Sequence, residues 1–262
     1  MFSDLAPLRD RPIPALAAVR ERRAGYRAWP LDANDPRANE PLEPLSAWGV
    51  KGLNYYANPR NPPYWRRIEG AIEGLYARTT ICRMLGLADA RLARAGLRLH
   101  VHDAWRPRAV QAYFHGVWLP AELRLRRPDL NGEALAGEVA RYWAAPTTDP
   151  LRPAPHETGA AVDLTIVWED GAPLFMGALF DDATALANTD YYEAAAAGRD
   201  FSFSAEEARA NRRLLYWVMT EVGFVNHPDE FWHFSWVDQA WAKVTGTATG
   251  FFGLATLSEG MG

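Results

Sequence analysis

An α+β fold, with a small and mainly antiparallel sheet flanked by helices, is what this sequence predicts, and three observations carry the prediction. Two segments alternate as strands do. "LRLHVHDAW" sets Leu97, Leu99 and Val101 against Arg98, His100 and His102, and "AVDLTIV" sets Val162, Leu164 and Ile166 against Asp163 and Thr165. A third segment, "FWHFSW", is short and aromatic and reads as another strand. The helical stretches between them vary in length and lack the regular beat of parallel βαβ units.

Taken in order, residues 30–64 are rich in Pro and Asn and predict mostly extended loop. From Tyr64, the residues Ile68, Ile72, Leu75 and Tyr76 recur at helical spacing, predicting one amphipathic helix to about Leu87. Cys82 follows in "ARTTICRML" as a buried packing thiol. Pro107 opens a helix through "RAVQAYFHGVWL", and a further helix covers 131–144. "SAEEARANRRLLYWVMTEVG" has Ser204 three residues before Glu207, a capping box, with Gly223 just past the end. The Gly- and Thr-rich stretch 246–262 predicts a loosely held tail. The whole chain, 1–262, is expected to form one catalytic domain in which residues 1–50 are an N-terminal extension.

Composition narrows the function. With 48% hydrophobic and 23% charged residues the chain is ordinary for a globular protein. A net charge of -4 without any basic block argues against a nucleic-acid or membrane-surface partner. One cysteine excludes an intrachain disulfide and a thiolate metal cluster. The first 25 residues mix charges and prolines where a signal peptide needs an apolar core, and no run of about 18 apolar residues occurs. The expected address is cytoplasmic.

Two places compete for a metal. In "HVHD", His100 and His102 share one strand face, although alternation alone explains the pair. In "PAPHETGAAVDLTIV", residues 153–167, six residues separate His156 from Asp163, and the acid interrupts an apolar run. Burying a carboxylate without a partner is costly, so such groups are paired or bound to metal. With His233 as a third member, the imidazole and carboxylate set suits zinc and leaves a fourth position for water. Glu230, three residues before His233, would be an unligated acid nearby. Residues three apart on a regular strand face opposite sides, so Glu230 reaches the site only if the chain bends, as Pro228 in "NHPDE" allows.

Four segments in order then carry a resemblance. They are "LNYYANPRNPPYW", "DAWRP", "APHETGAAVD" with "MGALFDDATALANTDYY" behind it, and "EFWH", spread over residues 50–237. The chain resembles the zinc-dependent D-alanyl-D-alanine dipeptidases, within the wider D,D-peptidase family that includes D,D-carboxypeptidases. The resemblance implies a hedgehog/D,D-peptidase-like fold and one zinc ion per chain on His156, Asp163 and His233. It implies Glu230 as general base and then general acid, and Arg106 as the stabiliser of the oxyanion. Asp181 falls where the family binds the free amine of a small D-amino-acid dipeptide.

Two positions depart from the family pattern. Ala154 replaces a serine, a change expected to alter how substrate is held, and Phe231 replaces a tryptophan as a packing swap. Alternatives stay open on sequence alone: a D,D-carboxypeptidase acting on a longer peptide, or a zinc-containing binding module. A structural zinc closed by His227 or the "HVH" pair is a third. Without the resemblance, Arg106 reads as a surface partner of Asp103, and Asp181 as a helix cap.

Overall fold

The computed structural model describes residues 4–196 and 202–258. Strands β1 (Leu42–Pro44) and β3 (Tyr76–Arg78) form a small antiparallel ribbon. The main sheet runs β2 (Lys51–Gly52), β4 (Leu97–Asp103), β5 (Ala161–Trp168), β7 (Glu230–Ser235), β6 (Val225–His227). Only the β2–β4 pairing is parallel, so the α+β class with a mainly antiparallel sheet holds. Helices α1 (Ala6–Asp10) and α2 (Ala17–Arg23) precede the strands. Helices α3 (Thr79–Ala93), α4 (Arg108–Tyr113), α5 (Leu119–Arg126) and α6 (Gly132–Tyr142) fall between β3 and β5. Helices α7 (Tyr191–Ala196) and α8 (Phe203–Glu221) precede β6, and α9 (Gln239–Thr245) follows β7.

The apolar strand residues bury together. Leu97, Leu99 and Val101 of β4 and Val162, Leu164 and Ile166 of β5 join Ile81, Leu85 and Leu92 of α3 and Leu214, Leu215 and Val218 of α8 in one core. Each such side chain contributes roughly 1.5–3 kcal/mol by leaving water. This core holds β5 at the centre of the sheet, where every residue from Ala161 to Val167 is buried. Asp163 therefore stands in the interior with its side chain turned from the Val162 row. Among the described residues, no helix is long and apolar enough to cross a membrane.

Four elements differ from expectation. No single helix spans 64–87: residues 64–75 are irregular, β3 follows, and α3 starts at Thr79. The backbone at Gly70 is left-handed (φ +82°), and a Cβ there would lie 2.8 Å from that of Ala109. A helix cannot pass through such a point, so buried Ile68 fixes a loop. Helix α8 is capped by the Ser202 side chain, which accepts from the Ala205 N–H at 3.2 Å, so Ser204 lies within the first turn. The helix opened by Pro107 continues past Trp118 to Arg126 through a π turn at Phe114–Trp118. The C-terminal stretch is held as far as Ser258, because Phe251 and Phe252 are buried and the Ala255 N–H donates to the Glu157 carbonyl at 2.9 Å. Residues 259–262 lie outside the described residues.

Candidate active site

Pairing between strands assembles the site. In the β5–β7 register Asp163 lies opposite His233, so their side chains share a face. On the other side, β4 and β5 pair His100 with Thr165 and Val101 with Leu164. Regular alternation would next bring His102 opposite Asp163. The register instead shifts between Val101 and Asp103, and Asp103 takes that place. One extra residue re-aims the end of a strand, as bulges do. The result is a row, Asp103–Asp163–His233, across three strands.

His156 approaches this row from a 3-10 turn, Pro155–Thr158, that ends in Gly159 with φ +70°. A Cβ on Gly159 would lie 2.4 Å from the Leu42 side chain, so a glycine is required there. His156 Nδ1 lies 2.9 Å from the Ala104 carbonyl, which can only accept. That bond puts the proton on Nδ1 and leaves the Nε2 lone pair facing the row. His156 Nε2 lies 3.1 Å from His233 Nδ1 and 3.3 Å from Asp163 Oδ2, and His233 Nδ1 lies 3.0 Å from Asp163 Oδ1. Tetrahedral bonds of about 2.0–2.1 Å require ligand atoms roughly 3.3 Å apart. These three buried residues thus fit a divalent metal ion in both donor type and spacing, and they form a group able to hold one. Burial alone would push the Asp163 carboxyl up, but the imidazoles of His156 and His233 hold it well below the usual range.

Glu230 stands outside that set. It opens β7 after the Pro228–Asp229 turn, where the hairpin register is irregular, and the bend brings Oε2 to 3.7 Å from His233 Nδ1. Burial pushes its pKa up to about 7, with Asp163 adding to the rise and His233 opposing it. His227 is not a fourth ligand in this arrangement: its Nδ1 accepts the Asp229 N–H at 3.1 Å, and Nε2 points to Glu230 Oε1 at 3.9 Å. His102 packs its ring against Phe180 and Tyr55, and burial lowers its pKa to about 3.

Arg106 is buried, not a surface residue. Its Nε donates to Asp103 Oδ2 at 2.8 Å and Nη1 to Gln111 Oε1 at 2.8 Å, while Nη2 reaches both Tyr56 Oη and Asp163 Oδ2 at 3.3 Å. Trp143 stacks on the guanidinium, 4.6 Å from ring centroid to Cζ. Four of its five N–H groups are engaged, which leaves one on Nη1. Asp181 is not a helix cap. Its Oδ2 accepts from the hydroxyls of Tyr56 at 2.9 Å and Tyr64 at 2.8 Å, and its backbone has φ +60°. Burial, with Asp163 nearby, pushes its pKa up to about 7.

All six residues singled out from the sequence (Arg106, His156, Asp163, Asp181, Glu230 and His233) line one cavity of about 210 Å³. That is below the roughly 300–1,000 Å³ of pockets for drug-sized ligands. Ala154 does not line it. This residue is the N-cap of the 3-10 turn, where Glu157 Oε2 accepts the Ala154 N–H at 2.9 Å and the missing hydroxyl leaves the other half of the capping box empty. At this position the structure shows a turn N-cap without a hydroxyl.

Sequence reasoning paired Arg106 with Asp103, and that pair holds although it is buried; it missed the place of Asp103 in the row, Gln111 and the tyrosine pair that holds Asp181. Tyr56 and Tyr64 lie in the "NYYANPRNPPYW" segment already noted, so a signal for them existed. It also missed that Arg23, Tyr26 and Arg27 line the cavity, bringing the N-terminal region onto the site.

Fold and site together define a class: a protein whose pocket can take a metal ion beside an acid outside the candidate ligand set. Residues 75–249, more than half of the chain, match the family model described as D-Ala-D-Ala dipeptidase. A D-alanyl-D-alanine dipeptidase of Synechocystis is 34% identical over 217 residues, covering 78% of this chain and 84% of the relative. One from Escherichia coli is 29% identical over 156 residues, covering 60% and 62%. The chain belongs to the D-Ala-D-Ala dipeptidase family of peptidases.

Proposed function

We propose that this peptidase is a zinc-dependent D-alanyl-D-alanine dipeptidase that hydrolyses the small free dipeptide to D-alanine. The observation that carries the reading is Glu230, a half-buried carboxylate outside the His156, Asp163, His233 set yet 3.7 Å from one of its donor atoms. The names of the relatives support the substrate. Two imidazoles and one carboxylate suit zinc and leave a coordination position open.

A zinc ion on those three residues would supply Lewis acidity at the scissile carbonyl and acidify the attacking water. Glu230 takes the proton from that water and passes it to the departing amine, general base and then general acid in one place. The free Nη1 hydrogen of Arg106 donates to the oxyanion as the carbonyl is attacked; losing one such donor costs roughly 2.7–4 kcal/mol of barrier. Asp181 accepts from the free ammonium of the substrate, whose charge offsets the burial of the carboxylate. A cytoplasmic address, where the free dipeptide is a wall precursor, and one catalytic domain spanning the chain belong to the same reading.

The test combines metal content with release of D-alanine from D-Ala-D-Ala, L-Ala-L-Ala and a pentapeptide ending in D-Ala-D-Ala. We expect one zinc per chain, cleavage of the D,D-dipeptide, and a kcat about 10²–10⁴-fold lower in Glu230→Ala with zinc retained. Full activity in Glu230→Ala refutes the mechanism. Cleavage of the pentapeptide alone makes the protein a D,D-carboxypeptidase.

A further inference from the structure

Four arginines line the cavity, and three of them are engaged. Arg106 is tied to Asp103, Gln111, Tyr56 and Asp163. Arg27 donates through Nη1 to the Ala145 carbonyl at 2.7 Å and through Nε to the Arg152 carbonyl at 3.1 Å. Arg141 lies 3.8 Å from Glu138 and 3.7 Å from Asp229. Arg23 differs. Among the described residues its guanidinium has no hydrogen bond or ion pair, and it rests on the Tyr26 ring with Cζ 4.7 Å from the centroid. The residue is half-buried.

The position of Arg23 is set by its own helix. Arg20, one turn earlier in α2, donates to Asp190 Oδ1 at 2.7 Å, Asp229 Oδ1 at 2.8 Å and the Pro228 carbonyl at 3.0 Å. Pro228 and Asp229 form the turn that leads into Glu230, so α2 is fastened to the hairpin carrying the proposed base. Residues three apart share a helix face, which turns Arg23 toward the same hairpin and the cavity beside it. A zwitterionic dipeptide brings one cation and one anion into this space. Asp181 answers the cation, and the anion needs a positive fork with free donors, which a guanidinium supplies to a carboxylate in a bidentate pair.

We infer that Arg23 binds the free α-carboxylate of the substrate and, with Asp181 at the other end, makes the cavity a gauge for free dipeptides. This rests on the dipeptidase reading above. The family match begins at residue 75, so the likeness to the family assigns Arg23 no role.

The experiment compares D-Ala-D-Ala with its C-terminal amide, D-Ala-D-Ala-NH2, on wild type, Arg23→Gln and Arg23→Lys, with zinc content measured for each. Wild type should prefer the acid by about 10–100-fold in kcat/KM. Arg23→Gln should lose that preference through a higher KM for the acid and leave the amide unchanged, and Arg23→Lys should recover part of it. Binding of D-Ala-D-Ala to Glu230→Gln, with and without Arg23→Gln, reads the same contact without turnover. Equal losses on acid and amide, or no loss on either, overturn the role of Arg23 while the dipeptidase reading stands. A wild type inactive on both substrates overturns both.

Discussion

The floor and the roof of the cavity are built in different ways. The floor is a row of side chains, Asp103, Asp163 and His233, set by hydrogen-bonded register across three strands and backed by a dry apolar core. The roof is the N-terminal strap through α2 and Arg27, attached by arginine side chains to carboxylates and backbone carbonyls. A strand register fixes side-chain direction to within a fraction of an ångström, which a metal pocket needs. A strap held by side chains can change without disturbing the sheet. The difference teaches that the proposed metal-binding residues are on the part of the chain that matches the family, whereas the arginines of the strap lie outside that match.

Breaking the floor should have the largest effect. Asp163→Ala removes one proposed metal ligand and leaves two imidazoles and Arg106 without the carboxylate between them. Metal content should fall from about one per chain to near zero, and turnover with it. Removing one partner of a buried ion pair costs roughly 3–5 kcal/mol, so the melting temperature should also drop. Elemental analysis and calorimetry read both; retained metal with full activity would sink the ligand assignment. Glu230→Ala comes next, since it spares the metal.

Asp181, held by Tyr56 and Tyr64 at the edge of the cavity, offers an effect of intermediate size with a defined pH dependence. Its folded pKa of about 7 is above its ordinary value of 3.8 because the group is buried. A raised folded pKa means the stabilising contribution is complete below about pH 4 and is lost as pH rises through 7. Asp181→Asn keeps an acceptor for the tyrosines without the charge. The metal-free variant should therefore gain on metal-free wild type between pH 4 and 7, by up to roughly 4 kcal/mol. Parallel denaturation curves across that range would count against a buried charge here.

The smallest effect sharpens the contrast from the supporting turn. Ala154→Ser restores the absent cap, which should add about 0.5–1 kcal/mol and raise the melting temperature by a few degrees, with kcat for the dipeptide unchanged. A changed KM would mean that position 154 touches substrate.

Much of the site was legible because its residues are of types that are costly to bury without a reason. Asp163 in an apolar strand and His156 before a glycine turn stood out in this way, and so did Glu230 two residues after Pro228. The bend required at Glu230 comes from the hairpin turn at Pro228–Asp229. Reading was weakest where a local pattern had two outcomes. Ile68, Ile72 and Leu75 have helical spacing, yet close packing at Gly70 made them a loop. Ser202 and Ser204 are both acceptable caps, and the hydrogen bond from the Ala205 N–H falls to the first.

The sequence by itself determined the α+β class and singled out His156, Asp163, His233 and Glu230, because alternation, turn chemistry and the cost of buried charge act over short spans of chain; Arg106 and Asp181 were legible only through the family resemblance. Only the tertiary structure decided that Asp103 and not His102 faces Asp163, since one residue of register slip at the end of β4 is invisible to alternation. It also decided that Arg23, 207 positions before Glu230 in the chain, stands in the same cavity. That meeting depends on how α2 docks against the β6–β7 turn, and no local signal around residue 23 encodes it.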